Sequence, residues 1–257
     1  MRYLLLCAFM PTISLATVSD CLTAAYPNIK SVKNGTVTFS NHRVLPLGNV
    51  STTPFITTLN NASIADQLAQ TYPLAFITPK QYADAGRLRN EPFFQALYGD
   101  NKQAISNNLT AVYWKPANTT IKFNKNNNAA AQLQKVGDEL ASNPSLIPYV
   151  AKSLGSFNYR PIAGTKRLSA HSFGIAVDFH LPQGLHKYWR WDGCKSENNP
   201  CPYPKALLQD KKLQQVVQIF EKHGFIWGGK WASYDSPHFE YRPELIIPAC
   251  RWNYPKP

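Results

Sequence analysis

The sequence predicts a protein of mixed helices and strands, and three stretches in the second half of the chain support that prediction. In residues 210–223, apolar residues recur with the spacing of one helical face, after an acidic N-cap and before a glycine stop. Residues 173–180 alternate between apolar and polar side chains, with Asp178 and His180 on the polar face, as in a half-buried β-strand. Residues 238–241 alternate in the same way. Because 44% of the 257 residues are hydrophobic, the chain can bury a sizeable core, which excludes a disordered tail protein.

The first sixteen residues are predicted to be a secretory signal peptide. A positive start at Met1-Arg2 is followed by an almost uncharged, mostly apolar stretch, and small residues at Ser14 and Ala16 precede a cleavage site after Ala16. A buried N-terminal strand is the alternative. No later apolar run approaches the roughly 20 residues of a membrane span, so we expect no integral membrane segment after cleavage. The mature protein is therefore expected to be secreted or periplasmic.

The chain is basic, with 27 Lys and Arg against 15 Asp and Glu and a formal net charge of +12. A nucleic-acid partner is not predicted, because the chain has no long Lys/Arg run and nucleic-acid modules are not usually exported. Polyanionic cell-envelope material is the better partner for an exported basic protein. Charge that serves only solubility is the alternative.

Export changes the interpretation of the cysteines. Removal of Cys7 with the signal leaves four, an even number that suggests two disulfides in an oxidising compartment. Cys194 and Cys201 flank a polar loop that a disulfide would close, and Cys21 and Cys250 would then join the two ends of the chain. A four-cysteine zinc site is the alternative, although the close Cys-x-x-Cys pairs typical of such sites are missing.

The composition changes near residue 130, which suggests two segments. Residues 17–128 are rich in Asn and Thr and show no constellation of catalytic residue types, so they are predicted to form an N-terminal elaboration of unknown role. Residues 129–257 contain the periodic stretches, including Leu133, Val136 and Leu140 at helical spacing, and are predicted to form the functional domain.

The candidate chemistry lies in two short segments of that domain. The first holds His171 and Asp178, and the second holds His238. Two imidazoles and one carboxylate are a standard set for a zinc ion that keeps its fourth position open for water. Because zinc lowers the pKa of that water to roughly 7, a nearby carboxylate is needed as general base. Asp235 is the candidate, on a turn rather than a helix, since Pro237 disfavours a helical residue before it.

Both segments resemble the zinc D-alanyl-D-alanine carboxypeptidase family, which includes vancomycin-resistance D,D-peptidases and phage L-alanyl-D-glutamate endopeptidases. The resemblance rests on Ser-x-His-x-x-Gly-x-Ala-x-Asp over 169–178 and Asp-x-x-His-Phe-Glu over 235–240, and extends over about 155–245. It implies an α+β fold of the hedgehog and D,D-peptidase type, with a small central antiparallel sheet and helices packed on it. It also implies that His171, Asp178 and His238 bind Zn²⁺.

The resemblance implies further roles. Asp235 corresponds to the general base, which is Asp in the endopeptidase branch and Glu in the dipeptidase branch. Arg160 lies in the segment 158–165 that corresponds to the family's substrate-polarising arginine, although the interval to His171 is short and Arg167 is a rival.

Three more residues are candidates for substrate binding, each with a structural alternative. Ser169 would hydrogen-bond the substrate or cap its loop. Glu240 would hold a ligand or a substrate amine, or form a structural ion pair. Trp231 would form a wall of the cleft or pack in the core.

The function expected from these features is that of an exported zinc peptidase acting on peptidoglycan stem peptides, most simply as a monomer. Its bond would be L-alanyl-D-glutamate or D-alanyl-D-alanine. The alternative is a non-catalytic, zinc-containing protein of the same fold that binds the cell envelope or its glycans.

Overall fold

The computed structural model of the protein describes residues 15–194, 196 and 201–251 and shows the expected mixture of helices and antiparallel strands. The strands are β1 (Ile29–Lys33), β2 (Thr36–Phe39), β3 (Val44–Pro46), β4 (Leu109–Trp114), β5 (Thr119–Asn124), β6 (Ser153–Gly155), β7 (Ala176–Phe179), β8 (Phe225–Trp227) and β9 (His238–Tyr241). The helices are α1 (Leu15–Ala25), α2 (Phe55–Thr58), α3 (Ile64–Leu68), α4 (Glu91–Tyr98), α5 (Lys102–Asn107), α6 (Ala129–Ala141), α7 (Ala206–Gln209) and α8 (Lys211–Lys222). The chain is therefore of the α+β kind.

The sheet that carries the site has four antiparallel strands in the order β6-β7-β9-β8. One face is apolar and is covered by α8, where the ring of Phe220 stacks on Phe239 of β9 at 4.0 Å. The predicted helix in 210–223 is confirmed, and the side chain of Asp210 accepts a hydrogen bond from the backbone N–H of Leu213. The opposite face is left to polar residues of β7 and β9.

β7 is shorter than the strand predicted over 173–180. Residues 170–173 form a 3-10 helix, which ends at Gly174 in the left-handed region with φ +67°. A Cβ at this position would lie 2.5 Å from Cδ2 of Leu109, so the β4–β5 hairpin packs where a side chain would otherwise stand. Glycine therefore permits both the left-handed turn before the strand and the close packing of the hairpin against it.

The hydrophobic core runs across the boundary expected at residue 128. Phe94 of α4 contacts Phe173 at a centroid distance of 5.6 Å, and Trp114 of β4 stacks on Phe179 of β7 at 5.1 Å. The predicted helix at Leu133, Val136 and Leu140 is α6, whose buried face joins the same core. The two segments are thus packed into one structure that shares its core.

Both predicted disulfides are confirmed. Cys21 of α1 is bonded to Cys250, and Cys194 is bonded to Cys201. The first joins positions 229 residues apart, and the second closes a loop between positions 7 residues apart.

The start of the chain is described only from α1 onward. Residues 1–14 of the predicted signal peptide lie outside the described residues, and the predicted cleavage site after Ala16 falls in the first turn of α1, so both stay predictions. Among the described helices, none has the length and hydrophobicity of a membrane span.

The two disulfides are expected to differ in their effect on stability. Replacing Cys21 and Cys250 together by Ser should lower the free energy of unfolding by about 4–5 kcal/mol, because the cross-link closes a very long loop in the unfolded chain. The matched control, Cys194→Ser with Cys201→Ser, should lower it by about 2–3 kcal/mol. Urea unfolding of the oxidised proteins measures both. Equal losses of unfolding free energy in the two double variants would contradict the expectation.

Candidate metal centre and cleft

Three side chains of the four-stranded sheet region bring one ligand atom each to a common point. Nε2 of His171 lies 3.2 Å from Nδ1 of His238, and Oδ1 of Asp178 lies 3.2 Å from the first and 3.0 Å from the second. These are the three residues predicted as metal ligands from the sequence, and the structure brings all three together.

Backbone pairing explains this convergence. Asp178 of β7 stands directly opposite His238 of β9 in the antiparallel register, so both side chains leave the same face of the sheet. His171 arrives from the 3-10 helix before β7. Ser169 caps that helix by accepting a hydrogen bond from the backbone N–H of His171.

Hydrogen bonds on the far side of each imidazole orient the rings. Nδ1–H of His171 donates to the carbonyl oxygen of Ser156 at 2.7 Å, and Nε2–H of His238 donates to the carboxylate of Glu240 at 3.0 Å. In these tautomers the remaining ring nitrogens, Nε2 of His171 and Nδ1 of His238, carry lone pairs that face each other. Such second contacts are typical of metal-binding histidines.

The electrostatics of the cluster favour a cation. Although burial raises the pKa of the Asp178 carboxyl, the hydrogen bonds that Nε2 of His171 and Nδ1 of His238 donate to it when they carry a proton hold that pKa well below its usual range. Burial lowers the pKa of His238, but hydrogen bonds to Asp178 and Glu240 outweigh it and raise the value to about 10. A pair of facing nitrogens beside a carboxylate is stabilised by a proton or by a metal ion. The donor set, two imidazoles and one carboxylate, fits Zn²⁺.

Asp235 lies in the cleft beside this cluster. Its backbone N–H bonds to the carbonyl oxygen of Gly228 at 3.0 Å, and a Cβ at Gly228 would come within 2.6 Å of the Asp235 carbonyl oxygen, so the close approach requires glycine. Burial, together with the charge of Asp178, raises the pKa of Asp235 to about 6 against the opposing effect of His238. Asp235 is only partly buried and lines the cleft together with the three candidate metal ligands.

The cleft has a volume of about 180 Å³ and is strongly basic. Five arginines line it, Arg87, Arg89, Arg160, Arg167 and Arg190. Two of the five, Arg87 and Arg89, come from residues 17–128, the segment for which the sequence predicted no role. Their sequence neighbourhood shows no periodic pattern or motif that would have singled them out. Only the packing of the loop 84–90 against the sheet region reveals them.

The other predicted residues also lie at the cleft. Arg160 is exposed at its rim. Trp231 is buried, with its ring 5.5 Å from that of His238, and its indole N–H donates to the carbonyl oxygen of Ala85. Glu240 is fully buried behind His238, where Arg242 occupies its second carboxylate oxygen at 2.7 Å.

Three candidate metal ligands with a carboxylate beside them, in a cleft open to a substrate, are the arrangement expected of a metal-dependent hydrolase. Residues 163–241 match the sequence profile of the family described as D-alanyl-D-alanine carboxypeptidase. The match spans just under a third of the 257 residues and includes His171, Asp178, Asp235 and His238. No curated protein and no solved structure gave a match.

The geometry predicts one zinc ion per chain. His171→Ala and His238→Ala should each abolish stoichiometric zinc binding, because each removes one of three protein ligands. His223→Ala is the matched control, since this histidine bonds to Glu139 outside the cleft. Elemental analysis of the purified proteins measures the metal. A wild-type protein that holds no zinc, and takes up none when zinc is added, would overturn the assignment.

Proposed function

We propose that this protein is an exported zinc peptidase that hydrolyses peptidoglycan stem peptides. The observation that carries the proposal is the position of Asp235 next to the His171–Asp178–His238 cluster, inside the segment that matches the D-alanyl-D-alanine carboxypeptidase family. Two disulfides fit an exported protein, because such bonds persist in oxidising compartments. We infer that β6–β9 with α6 and α8 correspond to the hedgehog-type fold implied by the resemblance.

The chemistry is direct hydrolysis without a covalent enzyme intermediate. His171, Asp178 and His238 would hold Zn²⁺, which when bound polarises a carbonyl oxygen and makes hydroxide available near neutral pH. Asp235 accepts the proton of the attacking water and delivers it to the leaving amine. Arg160, at the cleft rim, places a positive charge where negative charge develops on the carbonyl oxygen.

The serines near the metal are not nucleophiles in this proposal. Ser172 is fully buried, and its hydroxyl is used by the backbone of Arg160, from whose N–H it accepts at 3.0 Å and to whose carbonyl oxygen it donates at 2.8 Å. Ser169 caps the helix that carries His171. We propose that the exposed part of Ser169, together with Trp231, contacts the substrate where they line the cleft.

The basic cleft supports an anionic peptide as substrate. Five arginines line the cleft against three carboxylates, Asp178, Asp235 and Glu240, so positive side chains outnumber negative ones. Stem peptides carry carboxylates next to both candidate bonds. We favour the L-alanyl-D-glutamate bond, because the general base is Asp as in the endopeptidase branch.

Mass spectrometry of digested muropeptides tests the function and separates the two bonds. New N-terminal D-glutamate is expected if the enzyme is the endopeptidase, and free D-alanine would instead identify a carboxypeptidase. A zinc-loaded protein that releases neither product from purified peptidoglycan would overturn the peptidase proposal and favour a non-catalytic envelope-binding protein.

Asp235 is expected to act in catalysis without binding the metal. Asp235→Ala should keep one zinc per chain, because the three ligands are untouched, and should lower kcat by about a hundred- to ten-thousand-fold, as general-base removal usually does. Asp138→Ala, on the exposed side of α6, is the control and should leave both properties unchanged. Metal analysis and stem-peptide turnover are measured on the same samples. Wild-type turnover by Asp235→Ala would contradict the mechanism.

A further inference from the structure

A buried series of charged side chains leads from the metal centre to the N-terminal segment. It consists of every second residue from β9 onward, His238, Glu240, Arg242 and Glu244, and is called here the ion-pair chain. Glu240 and Arg242 are fully buried, and Glu244 is 2% exposed.

Each member of the ion-pair chain is joined to the next by a short contact. Nε2–H of His238 donates to Oε2 of Glu240 at 3.0 Å. Nη1 of Arg242 donates to Oε1 of Glu240 at 2.7 Å, and Nε of Arg242 donates to Oε1 of Glu244 at 2.6 Å. Both oxygens of Glu240 are therefore committed, one to the histidine and one to the arginine.

The far end of the ion-pair chain is held by residues outside the segment that matches the family. The hydroxyl of Tyr26, just after α1, donates to Oε2 of Glu244, and the amide of Gln67 in α3 donates to Oε1 at 3.0 Å. Nη1 of Arg242 also donates to the carbonyl oxygen of Gly86 at 2.7 Å, and the guanidinium lies 5.0 Å from the ring of Phe94.

Gly86 shows how closely the N-terminal segment approaches the ion-pair chain. It has φ +104°, and a Cβ there would lie 3.2 Å from Oε1 of Glu240 and 2.5 Å from Cδ1 of Ile226. A residue with a side chain would be strained by its backbone and would push against the sheet. The backbone of the N-terminal segment therefore forms one wall around Glu240.

The alternation of charge keeps these groups in place. A buried charge is costly unless it is paired, and here Arg242 lies between two carboxylates while Glu240 also faces Arg89 at 3.5 Å. Rotation of Arg242 would take its guanidinium away from both carboxylates at once. The carboxylate of Glu240 is thus confined to the orientation that accepts the His238 proton.

We propose that Arg242 and Glu244 are positioning residues of the metal centre, and that Tyr26 makes the N-terminal segment part of it. They act through Glu240, which fixes the tautomer and the ring orientation of His238. The N-terminal segment, rather than being an appendage, completes the metal site from behind. This inference rests on the proposed zinc site.

The test measures zinc affinity by competition with a chromogenic chelator, together with the thermal midpoint of the metal-free proteins. Glu240→Gln should weaken zinc binding by about 10- to 100-fold, the usual effect of removing a group bonded to a metal-binding histidine. Glu244→Gln and Tyr26→Phe should also weaken zinc binding. Glu244→Gln should have a smaller effect than Glu240→Gln, and Tyr26→Phe the smallest. Tyr26→Phe removes only one hydroxyl, so it keeps the test available if Glu244→Gln fails to fold.

Glu221→Gln is the matched control, since Glu221 is also a buried carboxylate, bonded to Lys230 and Tyr72 away from the metal centre. It should lower the thermal midpoint and leave zinc affinity unchanged. If Glu244→Gln and Tyr26→Phe behave like this control, the ion-pair chain is structural only and the inference is wrong. If the wild-type protein binds no zinc, the proposed metal site itself fails, and the two failures are thereby distinguished.

Discussion

The backbone hydrogen bonds between β7 and β9 hold Asp178 directly opposite His238, and the candidate centre is built outward from this pair. Because alternate residues of a strand share a face, the same register sends Val177 and Phe239 into the core and leaves the acidic and imidazole groups together on the other side. A shift of one residue would bury the polar groups and expose the apolar ones. The hydrophobic packing of α8 on the sheet therefore also determines where the ligand atoms meet.

The N-terminal segment is bound to this sheet by apolar packing, by hydrogen bonds to Arg242 and Glu244, by the ion pair between Arg89 and Glu240, and by a disulfide. Aromatic residues of α4 and β4 pack on the sheet region, and Cys21 of α1 is tied to Cys250 after the last strand. The same segment supplies Arg87 and Arg89 to the cleft. Its role is thus proposed to be twofold: to hold the imidazole side of the metal centre, and to give the cleft its positive charge.

Many features of the site were predictable because they are local in the sequence. The ligand triad and Asp235 fall in two short strings whose residue types and spacing are characteristic of zinc peptidases. Helices α6 and α8 were predicted from their apolar periodicity, and both disulfide pairings were predicted from cysteine spacing and are present. The strand prediction began too early, because the 3-10 helix that Ser169 caps and Gly174 ends takes up residues that the alternation had assigned to β7.

By itself, the sequence determined which chemical groups are available and which face of each strand carries them, since both depend on residue type and on the alternation of a strand. Only the tertiary structure decided which side chains from the rest of the chain contact those groups. His238, Glu240, Arg242 and Glu244 alternate along the chain, but the hydrogen bonds that Tyr26 and Gln67 donate to Glu244 join positions up to 218 residues apart. Contacts of this kind arise from burial of charge in a shared core, which no local pattern of residues records.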